Sequence, residues 1–388
     1  MPSGRALMRQ CRRVERRLKE AFADSPGWEY EKTLGNGSYG ITVLLKDRDP
    51  LRIRRRRRDR RLVLKRQLVP ERGAQDFLAE MSALQNLRGH AHIGQMIDST
   101  YETHNFLSRG GQTARFLRRI LRVFSNYPEN IFKSLAHHRG PAILLEYLEG
   151  GSMYDFERRK IALNTNLPNR RLWSFYYCMV RACAAMTYAK NAPYGERLEL
   201  EELHPNEPHY MLRHGDIAFR NLMFDDYEPH VPEHRAAPKM VLIDFGLSAT
   251  VAEPGTPGAA TLAETLNLHE CAKHMVFLIN SFLNELPNNA YLYDVRAGLA
   301  TLAWSIIPDR DGHDPFPWLD NELRYLLCDA LTDPLKRPSL EQMLRRTRRG
   351  AEKPASAYGA RAPDESDQAC HRVMQQLMYT PPEDPDIF

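Results

Sequence analysis

Apolar residues recur along this chain with two periods, and the alternation between them sorts it into strands and helices. Leu7, Met8, Val14, Leu18 and Phe22 stand among arginines and glutamates at helical spacing, which predicts an amphipathic helix over residues 5–22, with its basic face in water. Trp28–Glu31 alternates with period two, and Thr42–Leu45 and Leu62–Leu64 are short apolar runs, so all three read as strands. Phe77, Met81, Leu84 and Leu87, with Ala83, form an apolar stripe of helical period beside Glu80. Ala142–Leu145 predicts another strand. Residues 172–190 and Leu268–Phe282 predict long buried helices, and Met240–Ile243 a short apolar strand.

Polar stretches interrupt this pattern at 47–61, 103–140, 191–210 and 225–238, and each reads as an insertion. The first holds Arg52, Arg54–Arg58, Arg60 and Arg61, which cannot enter a core. It fits a solvated loop, a nuclear localisation signal that binds an import receptor, or a site for another anionic partner. The second holds a basic amphipathic stretch, Phe116–Phe124. Residues 346–388, rich in Pro, Asp and Ala, read as a mostly disordered tail with a short helix around Cys370–Leu377.

The 388 residues are 43% apolar, enough for a core, and the net charge of +5 reflects the local arginine clusters. That cluster alone is too weak a signal for nucleic-acid binding. The six cysteines are scattered with no C-x-x-C pair, which argues against zinc or a disulfide framework and for a reducing compartment. The N-terminus lacks the apolar core of a secretory signal, and no run approaches ~20 apolar residues. The expectation is an intracellular protein of cytoplasm or nucleus with no membrane partner.

The chemistry concentrates in two stretches. Asp216 and Asn221 lie five apart in His214-Gly215-Asp216-Ile217-Ala218-Phe219-Arg220-Asn221, and Asp244-Phe245-Gly246 follows the apolar run at 240–243. Two acids and an amide can position a hydroxyl and hold Mg²⁺ on a polyphosphate. Upstream, Gly35, Gly37 and Gly40 interrupt two strands, where backbone N–H groups can approach phosphate oxygens. Strand–glycine loop–strand differs from the dinucleotide-binding order of strand, loop, helix. Lys65 ends the third strand.

In this order the motifs resemble the eukaryotic protein-kinase family across residues 28–345: G-x-G-x-x-G, a strand-borne lysine, a helix-borne glutamate, E-Y-L-E-G-G at Glu146–Gly151, H-x-D-x-x-x-x-N, D-F-G, and D-P-x-x-R-P at Asp333–Pro338. The resemblance implies an α+β bilobal fold, with a small antiparallel-sheet lobe with one main helix at 28–147 and a larger, mostly helical lobe at 148–345, binding ATP and Mg²⁺ and acting on a protein substrate. It implies Gly35, Gly37 and Gly40 over the phosphates, and Lys65 on the α/β-phosphates held by Glu80. It implies Leu34, Val63 and Met223 around adenine, Leu145 as gatekeeper, and Glu146 and Leu148 on the adenine edge. Asp216 would be the catalytic base, and Asn221 and Asp244 the Mg²⁺ ligands.

There are departures. Gly215 stands where the family has an arginine that reads a phosphorylated activation segment. Ala218 replaces a lysine, and Arg220 is the candidate substitute, reaching the γ-phosphate. The A-P-E segment is degenerate, leaving Glu264 as the nearest candidate partner for Arg337. Thr42 replaces a valine. The favoured reading is a serine/threonine protein kinase. The alternatives are a pseudokinase that binds nucleotide as a scaffold, and a small-molecule phosphotransferase, since His-Gly-Asp also resembles the loop of aminoglycoside and choline kinases.

Overall fold

A five-stranded antiparallel sheet organises the first part of the chain. The computed structural model describes residues 4–25, 27–36, 40–48, 61–67, 74–99, 131, 141–193, 195–204, 209–228, 230–235, 237–251, 259–283, 285–294 and 299–379. The described residues divide into two compact units, drawn from 1–89, 94–147 and 191–197, and from 90–93, 148–190 and 198–388.

In the first unit, β1 (Trp28–Asn36), β2 (Gly40–Asp47), β3 (Arg61–Gln67), β4 (Met96–Ser99) and β5 (Ala142–Glu146) pair in the order β1-β2-β3-β5-β4. Period-two alternation decides what each face carries. Ile41, Val43, Leu45, Leu62 and Leu64 are buried in one cluster with Leu18, Phe22 and Cys11 of α1 (Gly4–Ala23). This is the predicted packing of the amphipathic helix. Each fully buried Leu or Phe there contributes roughly 1.5–3 kcal/mol over exposure. Residues Thr42 and Lys65 are cross-strand partners, as are Leu44 and Val63. By the same alternation they occupy the other face of the sheet, away from α1. Helix α2 (Ala74–Asn86) presents Phe77, Met81 and Leu84 as its buried stripe, and Glu80 is buried with them.

The second unit is mainly helical. Helix α3 (Met153–Ala162) opens on Ser152, whose Oγ accepts from the Asp155 N–H. Helix α4 (Asn169–Thr187) is buried from Leu172 to Thr187. Its N-cap, Pro168, offers no side-chain acceptor. Glu365 serves instead: Oε1 accepts from Asn169 N at 2.7 Å and Oε2 from Arg170 N at 3.0 Å. An anion at a helix N-terminus satisfies the orphan N–H groups and the dipole together. Further on come β6 (Leu212–Arg213), β7 (Leu222–Phe224), β8 (Met240–Leu242), β9 (Ala249–Thr250) and α5 (Ala259–Ile279). The strands form two short antiparallel pairs, β6 with β9 and β7 with β8. A small hairpin-like pair, β10 (Tyr291–Asp294) with β11 (Leu299–Thr301), precedes α6 (Asn321–Ala330) and α7 (Leu340–Ala351).

Two expectations fail here. The buried helix read as Leu268–Phe282 begins at Ala259 and ends at Ile279, and Phe282 is 91% exposed. The tail read as mostly disordered carries a 3₁₀ helix at Ala355–Arg361, and the short helix expected around Cys370–Leu377 is present as α8 (Asp367–Tyr379). Cys370, Met374 and Leu377, spaced i, i+4, i+7, are fully buried, so this short stripe docks α8. The 225–238 insertion links β7 to β8 and contains a 3₁₀ turn at Pro232–His234 with His234 buried. Most of the arginine-rich loop, the 103–140 insertion with Phe116–Phe124, and Gly37 lie outside the described residues. Among the described residues no helix is long and apolar enough to cross a membrane.

Candidate active site

Each unit carries a constellation. In the sheet unit, β1 and β2 pair antiparallel through Gly35 opposite Thr42 and Asn36 opposite Ile41, so the glycine segment joins two strands as its spacing predicts. A Cβ on Gly40 would lie 2.9 Å from the Arg66 carbonyl oxygen of β3, so glycine lets the two strands approach there. A Cβ on Gly35 would meet open space. Leu34 is 40% exposed, and Val63 is at the edge of burial. Lys65 Nζ lies 2.5 Å from Glu80 Oε1, and Glu80 is only 3% exposed. β3 carries Lys65 to the point where α2 turns Glu80 inward, and the strand runs on past the lysine to Gln67. Losing one partner of such a pair leaves an uncompensated buried charge. Strand β5 pairs Leu145 with Val63 and ends at Glu146, whose carboxylate accepts from Gln95 N at 2.8 Å. Leu148, of the other unit, is buried.

In the helical unit, the loop after β6 is held from several directions. His214 is fully buried and packs edge-on against Phe245 at 4.7 Å between centroids. Its Nδ1 accepts from Asp216 N at 3.2 Å, so Nε2 carries the proton and donates to the Ile243 carbonyl at 3.1 Å. Burial pushes the imidazole pKa down to about 4, which keeps it neutral. Asn267 of α5 clamps the same loop: its Oδ1 accepts from His214 N, and its Nδ2 donates to the Leu212 carbonyl at 2.9 Å. The signal that could have found it is a single amide between Leu266 and Leu268 of the helix.

Gly215 has φ +82°, and a Cβ there would collide with the Leu247 carbonyl oxygen. The residue that resembled a lost arginine is therefore a steric requirement of this loop, because an L side chain has neither the backbone conformation nor the space. Met211 (φ 52°) and Asp244 (φ 62°) are also left-handed. Strain of order 1–3 kcal/mol per residue is thus stored at both ends of the constellation.

Asp216 is met by both candidate partners. Arg220 Nη2 lies 2.5 and 2.7 Å from its two carboxylate oxygens. Asn221 Nδ2 donates to the Asp216 backbone carbonyl at 2.8 Å and to Oδ2 at 2.9 Å. Arg220 was expected to serve a γ-phosphate; it pairs with the carboxylate, because the 3₁₀ turn Phe219–Asn221 brings it back over Asp216. The Asn221 carbonyl accepts from Ile243 N at 2.9 Å, which fixes the stretch ending in Asp244 beside the Asp216 loop. Asp244 Oδ1 accepts from Gly246 N. Met223, on β7, pairs with Val241 of β8.

Glu264 and Arg337 are not partners. Arg337 Nε donates to the Thr332 carbonyl, whereas Glu264 meets Thr187 and is driven by burial to a pKa of about 7. Sequence reasoning also missed a second buried group in this unit, His92, Cys178 and His234, drawn from positions with no common motif.

No protein-family model matches this chain, and no curated protein matches it.

Proposed function

We propose that the chain is an ATP-dependent protein kinase of protein-kinase-like bilobal fold, with the sheet unit as small lobe and the helical unit as large lobe. The observation that carries this reading is the pair of hydrogen bonds by which Asn221 ties the Asp216 loop to the Asp244 stretch. They place two carboxylates and one amide in one fixed frame. The donor set fits Mg²⁺: with Nδ2 committed to Asp216, Asn221 presents Oδ1, and a carboxylate and an amide oxygen are hard ligands. Asn221 and Asp244 would hold the metal, and Gly35, Gly40 and the Lys65 ammonium would receive the phosphates of ATP. Leu34, Val63 and Met223 would pack on adenine, and Glu146 and Leu148 would meet its edge. Bound Mg²⁺-ATP supplies the phosphoryl group and offsets its charge.

The residues of the chain do the rest by position. Glu80 keeps Lys65 in place on β3. Asp216 accepts the proton of a serine or threonine hydroxyl at the oxygen that Arg220 gives up, while Asn221 holds the other. Neutral His214 fixes the Asp216 backbone. A second reading, a scaffold that binds nucleotide without turnover, is favoured by the Arg220 contact with both Asp216 oxygens.

Mg²⁺-ATP should raise the melting temperature of the wild type, and Lys65→Met should abolish the rise; no rise in the wild type rejects the nucleotide site. Labelled γ-phosphate should appear on a generic protein substrate and vanish in Asp216→Asn. Binding without transfer in both would favour the scaffold. Turnover accelerated only by a small alcohol or amine would favour a small-molecule phosphotransferase.

A further inference from the structure

Three side chains from distant parts of the helical unit meet in its interior. His92 lies in the turn before β4, Cys178 on α4, and His234 in the 3₁₀ turn of the 225–238 insertion. Their ligand atoms all lie within 4.8 Å of one another, and all three residues are buried. His92 Nε2 is 3.2 Å from His234 Nε2, which is 3.5 Å from Cys178 Sγ.

The far nitrogen of each ring is already committed. His92 Nδ1 lies 2.6 Å from Glu201 Oε2, and His234 Nδ1 lies 2.5 Å from Glu228 Oε2. A carboxylate can only accept, so each Nδ1 bears the proton and each Nε2 presents a lone pair. Two lone pairs and a sulfur thus converge in a buried space, an arrangement that suits a cation at its centre. A carboxylate behind each imidazole is the outer shell that orients metal-bound histidines.

We infer that His92, His234 and Cys178 form a binding site for a zinc-class divalent cation. Zn–N near 2.0–2.1 Å and Zn–S near 2.3 Å in a tetrahedron put N···N at about 3.4 Å and N···S at about 3.6 Å. The chain holds His92–His234 at 3.2 Å and His234–Cys178 at 3.5 Å, and the third edge, His92–Cys178, lies within 4.8 Å. Binding forms two N–Zn bonds and one S–Zn bond; the Cys178 thiol proton, and any proton shared by the two Nε2 atoms, leave to solvent, with no change of oxidation state. Water takes the fourth position. Because the site is enclosed, it holds segments together rather than acting on a substrate: it joins the turn at His92, α4 and the insertion.

The full-length protein, stripped with a chelator and titrated with Zn²⁺ or Co²⁺, tests this. One equivalent should bind, and the cobalt form should show the intense visible bands of a tetrahedral site together with a sulfur-to-cobalt charge-transfer band. Cys178→Ser should lose that charge-transfer band, and Glu201→Gln should weaken binding on the order of 10–100-fold. X-ray absorption at the zinc edge of the wild type should show one sulfur among light-atom ligands, a measurement that stands even where the variants do not fold. No stoichiometric uptake of either ion, a first shell without sulfur, or retention of copper(I) alone would overturn the site and leave a proton-bridged histidine pair. Neither outcome depends on the kinase reading.

Discussion

The loop around Asp216 and the cluster around His234 use the same kinds of group in opposite surroundings. The Asp216 side chain is 25% exposed and its guanidinium partner 64% exposed, whereas the His92 and His234 side chains are wholly buried. In the open loop a carboxylate is held by groups that can exchange it for a ligand, since an exposed ion pair is worth at most about 1 kcal/mol. In the closed cluster every polar atom must be answered from within, and a missing partner costs the full desolvation of the one left behind. Accessible polar geometry is therefore available for turnover, and buried polar geometry is committed to holding the chain together.

That contrast can be broken by separating rate from stability. The largest effect belongs to the loop: Asp216→Asn should lower phosphoryl transfer by roughly 10²–10⁴-fold while moving stability by less than about 1 kcal/mol. A melting temperature that falls along with the rate would erase the distinction. Lys65→Met removes the cationic partner of a buried carboxylate and should lower stability in denaturant unfolding by up to about 3–5 kcal/mol. A loss below about 1 kcal/mol there would mean that the carboxylate finds water.

His214 gives a pH test. Its pKa is about 4 when folded, against ~6.5 in the unfolded chain, a difference worth up to ~3 kcal/mol. Between these values the unfolded chain binds more protons, so stability is complete above pH ~6.5 and drains away as the pH falls toward 4. Glu264 runs the other way: with its pKa raised to about 7, its contribution is present below pH ~4.5 and lost as pH rises through 7. Melting curves of His214→Gln and Glu264→Gln, each subtracted from the wild type across pH 4–8, should show opposite slopes. The smallest effect is Glu201→Ala. It strips the acceptor from the His92 amide and Nδ1 and should cost about 1–3 kcal/mol with the nucleotide-induced melting shift unchanged.

The two regions also differ in how legible they were. The Asp216–Asn221 spacing and the Lys65 strand are local, so period and motif placed them. The docking of α1 followed from its apolar stripe. What the pattern missed was set by long-range closure. Gly215 looked like a lost arginine because the carbonyl of Leu247 is invisible in a local window. Glu264 was matched to Arg337 by position in the motif, while the fold turned it toward Thr187. His92 and His234 lie 142 residues apart, and no spacing rule joins them to Cys178. The tail looked too polar to fold because only three residues of its stripe are needed to dock it.

The Glu365 contact sets an order of events during synthesis. The acceptor for the start of α4 lies 196 residues downstream of Asn169, and at translation speeds of roughly 5–20 residues per second it emerges on the order of 10–40 s later. Until then the first turn of the most buried helix has only water for its amides. The nascent chain thus leaves this helix start open to chaperone binding or proteolysis for that interval, and a segment made long after the helix closes the gap.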